Sequence, residues 1–87
     1  MIEREVVVGH RLGLHARAAA RVVQLAGQYR SSIMLLRNDS DRGAEADARS
    51  ILSILLLAAA HGSTLMVRAE GSDEGDAVQC ICEYLKG

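Results

Sequence analysis

Gly13-Leu14-His15-Ala16-Arg17 is the stretch whose residue types and spacing could do chemistry. His15 stands where a loop hands over to a helix, so the free N–H groups of the first turn open close to its ring. Those donors, with the positive end of the helix dipole, make a ready place for a phosphate or another anion. Arg17 lies one or two positions into the helix and Arg21 one turn later, adding positive charge on the same side. Histidine is largely neutral and still nucleophilic near pH 7, and it forms covalent intermediates. A neutral imidazole, free amides and two guanidinium groups suit a site that accepts a phosphoryl and stabilises its dianion. No carboxylate pair or metal-ligand set lies nearby in sequence, and neither a metal nor a cofactor is expected. The same spacing fits a plainer role, in which His15 caps a helix and Arg17 and Arg21 form a solvated face. For His10 and His61, both in turn-like contexts, the plain role is the expected one.

The elements that must position these residues follow from the apolar pattern. Glu5-Val6-Val7-Val8, closed by Gly9, reads as a strand over residues 2–8. Arg17, Arg21, Gln24 and Gln28 recur at intervals of 4, 3 and 4, which predicts a helix over 16–28 with one polar stripe. A second strand is predicted at Ile33–Leu36, a polar turn at Asn38–Gly43 and a short third strand around Gly43–Ala46. Arg49 to Ala60 reads as a helix apolar nearly all round, and Gly62 can end it in the left-handed conformation. So small a domain can hardly bury such a helix on every side, so part of it is expected to meet something. Thr64–Ala69 reads as a fourth strand. Ser72-Asp73-Glu74 supplies a cap and an acidic first turn for a last helix whose core stripe is Ala77, Val78, Ile81 and Leu85. The order β-α-β-β-α-β-α predicts an α+β domain with helices on one face of a sheet.

Composition narrows the function classes. Eighty-seven residues make one domain, 1–87, with one core and no room for a large enclosed active site. Two tyrosines, with no Phe and no Trp, leave no aromatic platforms for stacking bases, so nucleic acid is not an expected partner. The net charge of −1 conceals an asymmetry. Residues 1–42 carry seven arginines against four carboxylates, a net +3, while residues 43–87 carry three cations against seven, a net −4. An arginine-rich half suits an anionic partner. Cys80 and Cys82 are two residues apart on a predicted helix and point to opposite sides, so no disulfide is expected between them. They read as small hydrophobes in a reducing compartment. The charged start, Met1-Ile2-Glu3-Arg4-Glu5, has no apolar leader behind it, and the run Ile54–Ala60 is too short to span a bilayer. The expectation is a cytoplasmic protein, monomeric by default.

Gly13-Leu14-His15-Ala16-Arg17-Ala18-Ala19 resembles the phosphorylation motif of the HPr-type phosphocarriers of the phosphotransferase system, G-[LIM]-H-A-R-P-A. The likeness extends along the chain. Arg49-Ser50-Ile51-Leu52 sits where that family has its regulatory-serine helix, and His61-Gly62-Ser63 matches its glycine turn before the fourth strand. Ala69-Glu70-Gly71-Ser72-Asp73-Glu74 resembles its entry to the last helix. The resemblance implies an open-faced β-sandwich: a four-stranded antiparallel sheet with three helices on one face. It implies that His15 takes a phosphoryl group on Nδ1 from phosphorylated enzyme I and passes it to A-type enzyme II domains, with Arg17 binding the phosphoryl oxygens. It further implies that Ile51, Leu52 and Leu55 dock onto partners, beside Arg21 on the first helix.

Two departures from the family pattern stand out. Ala18 replaces the family's proline, which restores a backbone N–H to the first turn and costs rigidity worth about 0.4–1 kcal/mol. The Asn38–Gly43 turn is longer than in sugar-transport HPr, and Leu35-Leu36-Arg37-Asn38-Asp39 with Ala44-Glu45-Ala46 resembles the nitrogen-related branch, NPr. Ser50 has two readings, a target for a serine kinase or a helix cap. Two other functions compete with a phosphocarrier. One is a non-catalytic module that binds an anion or a partner on the Arg17/Arg21 face. The other, an acylphosphatase-like hydrolase, lacks the arginine-rich phosphate loop and the water-positioning asparagine it would need.

Overall fold

A strand whose side chains point alternately to two faces can cover a core with one of them. β1 (Ile2–Val7) does this, burying Val6 while Glu3 and Glu5 face solvent. The computed structural model describes residues 1–37 and 44–87, so the turn predicted at Asn38–Gly43 lies outside the described residues. α1 (Ala16–Ala26), β2 (Ser32–Arg37), β3 (Ala44–Asp47), α2 (Ile51–Leu56), β4 (Thr64–Glu70) and α3 (Glu74–Lys86) complete the order β-α-β-β-α-β-α. The four strands form one antiparallel sheet in the order β1-β4-β2-β3, with Ile2 opposite Ala69, Ile33 opposite Ala69 and Leu35 opposite Ala46. The three helices lie on one face. Between the layers, Ile33, Leu35, Leu65 and Val67 meet Val22, Ile54 and the predicted stripe Ala77, Val78, Ile81 and Leu85. This is the α+β open-faced sandwich that the sequence pattern and the resemblance led us to expect.

Both inner helices are shorter than the apolar pattern predicts. α1 stops at Ala26, not Gln28, because Gly27 weakens a further turn. The Arg49 guanidinium also donates to the carbonyls of Ala26 (3.3 Å), at the helix end, and Tyr29 (2.6 Å), just past it. α2 covers Ile51–Leu56 and not 49–60. Ala58 turns into the left-handed region (φ 53°), and Arg37 donates to the carbonyls of Leu57 (2.9 Å) and Ala58 (3.0 Å). The chain leaves the helix there so that Ala59 can return to the core. Gly62 does have a positive φ (87°), but it serves the turn into β4 and does not end α2.

Asp73 precedes α3 without making a side-chain cap bond. Its carboxylate reaches across to accept from the backbone N–H groups of Arg30 (2.9 Å) and Ser31 (2.9 Å) and from the Ser31 hydroxyl (2.5 Å). Ser31 is fully buried, so the link ties the α1–β2 turn to the last helix. The Ser31 hydroxyl, then the Arg30 amide, hold the Asp73 carboxyl below its ordinary pKa. A lowered folded-state pKa stabilises above the unfolded value of 3.8 and is lost as pH falls through the folded one. Asp73→Asn should therefore lower the urea midpoint at pH 7, with the gap to the parent closing as pH drops below about 4. A gap independent of pH would mean the carboxylate charge is not what holds the link.

Cys80 and Cys82 are free, and burial pushes the Cys82 thiol up, keeping it protonated. The Tyr29 phenol is pushed up to about 12, chiefly by its hydrogen bond with Cys80. None of the described helices is long and apolar enough to cross a membrane.

Candidate functional site

His15 is the N-cap of α1, with extended backbone (φ −77°, ψ −179°). Its carbonyl accepts the Ala19 N–H at 2.8 Å, and its ring Nδ1 accepts the Arg17 N–H at 3.2 Å. A ring nitrogen that accepts carries no proton, so the neutral ring in this geometry bears its proton on Nε2 and its lone pair on Nδ1. His15 is thus the helix cap that the plainer of the two sequence readings expects. Capping aims the Nδ1 lone pair into the first helical turn, among N–H groups that lack intrahelical acceptors.

The loop that delivers His15 is fixed at both ends. On one side the Gly9 N–H donates to the Leu85 carbonyl at 2.9 Å, and His10 Nε2 donates to the Tyr84 carbonyl at 2.6 Å. The His10 and Tyr84 rings also lie 4.7 Å apart. On the other side the Leu14 N–H donates to the Ala59 carbonyl at 2.9 Å, while the Leu14 side chain is buried. Gly13 between them has φ +70°, and a Cβ there would sit 2.5 Å from the Ala59 oxygen. Glycine is the one residue that meets both conditions.

The electrostatics favour an anion. α1 holds no acidic residue, and Arg17 and Arg21 stand exposed one turn apart. Arg21 donates to Gln24 at 3.2 Å, while Arg17 has no charged partner among the described residues. The Ala18 methyl is buried, and its N–H belongs to the same set of first-turn donors.

Ser50 is the N-cap of α2, its hydroxyl accepting from the Ser53 N–H at 3.2 Å. Beyond it Ile51, Leu52 and Leu55 are 42, 67 and 37% exposed, while Ile54 and Leu57 turn inward. Two residues escaped the sequence reading. Leu56 is 74% exposed on α2, and Leu12 is 76% exposed three positions before His15. Leu56 follows Leu52 by one helical turn, a spacing that could have marked it; Leu12 sits in a loop, where no period applies.

A sheet covered on one face by three helices, with a histidine at the mouth of the first, defines a class of small open-faced α+β sandwiches. Residues 2–87 match the family model described as PTS HPr component phosphorylation site. The chain belongs to that family, the HPr-type phosphocarriers of the phosphotransferase system. It is 42% identical over 86 residues to phosphocarrier protein HPr of Xylella fastidiosa, covering 99% of this chain and 92% of the relative. Phosphocarrier protein NPr of Shewanella violacea is 33% identical over 81 residues, covering 93% and 85%. The crystal structure of a phosphocarrier protein HPr from Bacillus anthracis superposes with a TM-score of 0.87 at 31% identity, covering 97% and 95%.

Proposed function

We propose that His15 is the phosphoryl acceptor of this phosphocarrier, taking its cargo from phosphorylated enzyme I and yielding it to A-type enzyme II domains in the cytoplasm. The observation that carries this reading is the Arg17 N–H donating to His15 Nδ1, which leaves that nitrogen unprotonated at the helix mouth. Nδ1 attacks the phosphorus as the bond to the donor's nitrogen breaks, and Nε2 keeps its proton, so the product ring stays neutral. The phosphoryl oxygens then take over the Arg17 N–H, whose 3.2 Å bond to the ring is long and easily given up. The Arg17 side chain adds a charge-assisted donor. Donor and acceptor proteins complete the site, and Ile51, Leu52 and Leu55 with Arg21 supply the surface they dock on.

A serine kinase is a further partner in this reading. Phosphate on Ser50 would suit the α2 dipole while placing about two negative charges beside Ile51 and Leu52, making that apolar surface a poorer dock.

The direct test mixes the protein with enzyme I, magnesium and phosphoenolpyruvate and looks for acid-labile phosphate. Labelling is expected; its absence with several enzyme I homologues overturns the reading. Offering the labelled protein to sugar-type and nitrogen-type acceptors then separates the two branches, whose names both occur among the relatives.

Two variants probe the first turn. Arg17→Ala should slow transfer by about tenfold to a hundredfold, the loss of one hydrogen bond to a charged group, with an unchanged urea midpoint. Unchanged kinetics would remove Arg17 from the site. Ala18→Pro, the family's own residue, should raise stability by about 0.4–1 kcal/mol while transfer persists. Loss of transfer in that variant would show that the Ala18 N–H is a required donor.

A further inference from the structure

The outer face of the sheet, which no helix covers, carries its own pattern. Residues directly opposite in the antiparallel register share a face, so the pairings place side chains in rows across it. One row runs Glu5, Met66, Leu36, Glu45, and the next runs Glu3, Arg68, Met34, Asp47. Glu70 joins them opposite Ser32. Among the described residues this face therefore holds five carboxylates against the single Arg68, a net −4. Arg68 is already engaged by Glu3 at 3.1 Å. At the centre lie Met34 and Met66, both half-buried, beside a buried Leu36. Flexible, polarisable methionines ringed by acids are what a surface needs to grip an apolar helix edge flanked by lysine or arginine.

We propose that this open face is a docking surface for a basic amphipathic helix of a partner protein. The charge argues for that occupant. The helices beside His15 present Arg17 and Arg21 with no acid on α1 or α2, the acids of that layer lying on α3, so cations gather at the transfer site and anions behind the sheet. An acidic partner is steered to one face and a basic one to the other. Because the sheet separates the two faces, the basic helix leaves the His15 ring accessible, and both partners are held at once.

The test titrates the full chain, labelled on the methionine methyls and backbone amides, with a synthetic leucine–lysine amphipathic helix. The Met34 and Met66 methyls are expected to shift, and binding is expected to weaken as salt is raised. The double variant Glu5→Lys/Glu45→Lys should weaken binding by about tenfold, reversing two exposed charges, while phosphate uptake from enzyme I stays at the parent rate. Four results would overturn the proposal. They are shifts centred on Leu52 and Leu56, equal binding of a leucine–glutamate peptide, indifference to the double variant, and no binding at all. Sedimentation without peptide provides the last arm: self-association that the double variant abolishes would assign the face to a second copy of the chain.

Discussion

Incubated with enzyme I, magnesium and phosphoenolpyruvate, His15→Ala is expected to take up no acid-labile phosphate, while His10→Ala is labelled like the parent. The argument rests on bonding. His10 donates its Nε2 proton to the Tyr84 carbonyl and packs at a tilt against that residue's ring, so it is committed to structure. His15 directs an unprotonated Nδ1 into the first turn of α1. The substitution also removes an N-cap, which costs about 1 kcal/mol. That is a modest part of the roughly 5–15 kcal/mol that holds a domain of this size together, so the variant stays folded. Its circular dichroism should match the parent's at room temperature. The result also separates the phosphocarrier from an anion-binding module on the Arg17/Arg21 face, which would keep its ligand without the imidazole. Phosphate on the His15→Ala chain would place the acceptor elsewhere.

The second large effect belongs to α2. Six residues are too few to hold a helix by themselves, and Ile54, fully buried, is the one buried residue among them. Ile54→Ala should cost about 2–5 kcal/mol through lost burial and the cavity left behind. The urea midpoint would fall accordingly. Part of the loss should be local, because Ile54 is the one buried residue within α2, with Leu57 at its C-cap the next inward side chain. The apparent KM for enzyme I should then rise more than kcat falls, since a frayed α2 disperses the docking surface while the His15 ring remains capped on α1. A proportional loss of both would mean α2 does not form the dock.

The sequence was most legible where one force set the outcome. β-Branched and apolar runs located β1 and β4, a 3.6-residue apolar stripe located α3, and the N-terminal position of His15 followed from where α1 had to begin. The helix ends were less legible because tertiary contacts decide them. Arg49 and Arg37 bond to carbonyls twenty or so positions away, and no local pattern announces that. Asp73 shows the same limit. Its place before a helix promised a cap, yet its carboxylate spans 42 positions to Ser31, because a buried hydroxyl needs a partner more than an exposed helix end does. The resemblance supplied what periodicity lacked, a reason for α2 to leave its leucines exposed.

Among the described residues β1 pairs only with β4, so the first of the four strands to be made waits for the last before it can join the sheet. At about 5–20 residues per second that delay is several seconds, during which Val6 and Val8 have no settled place. The histidine loop is tied to the end of α3 through Gly9 and His10, so it takes shape only once α3 has been made. A chain that still lacks α3 therefore lacks the settled loop that presents the His15 ring.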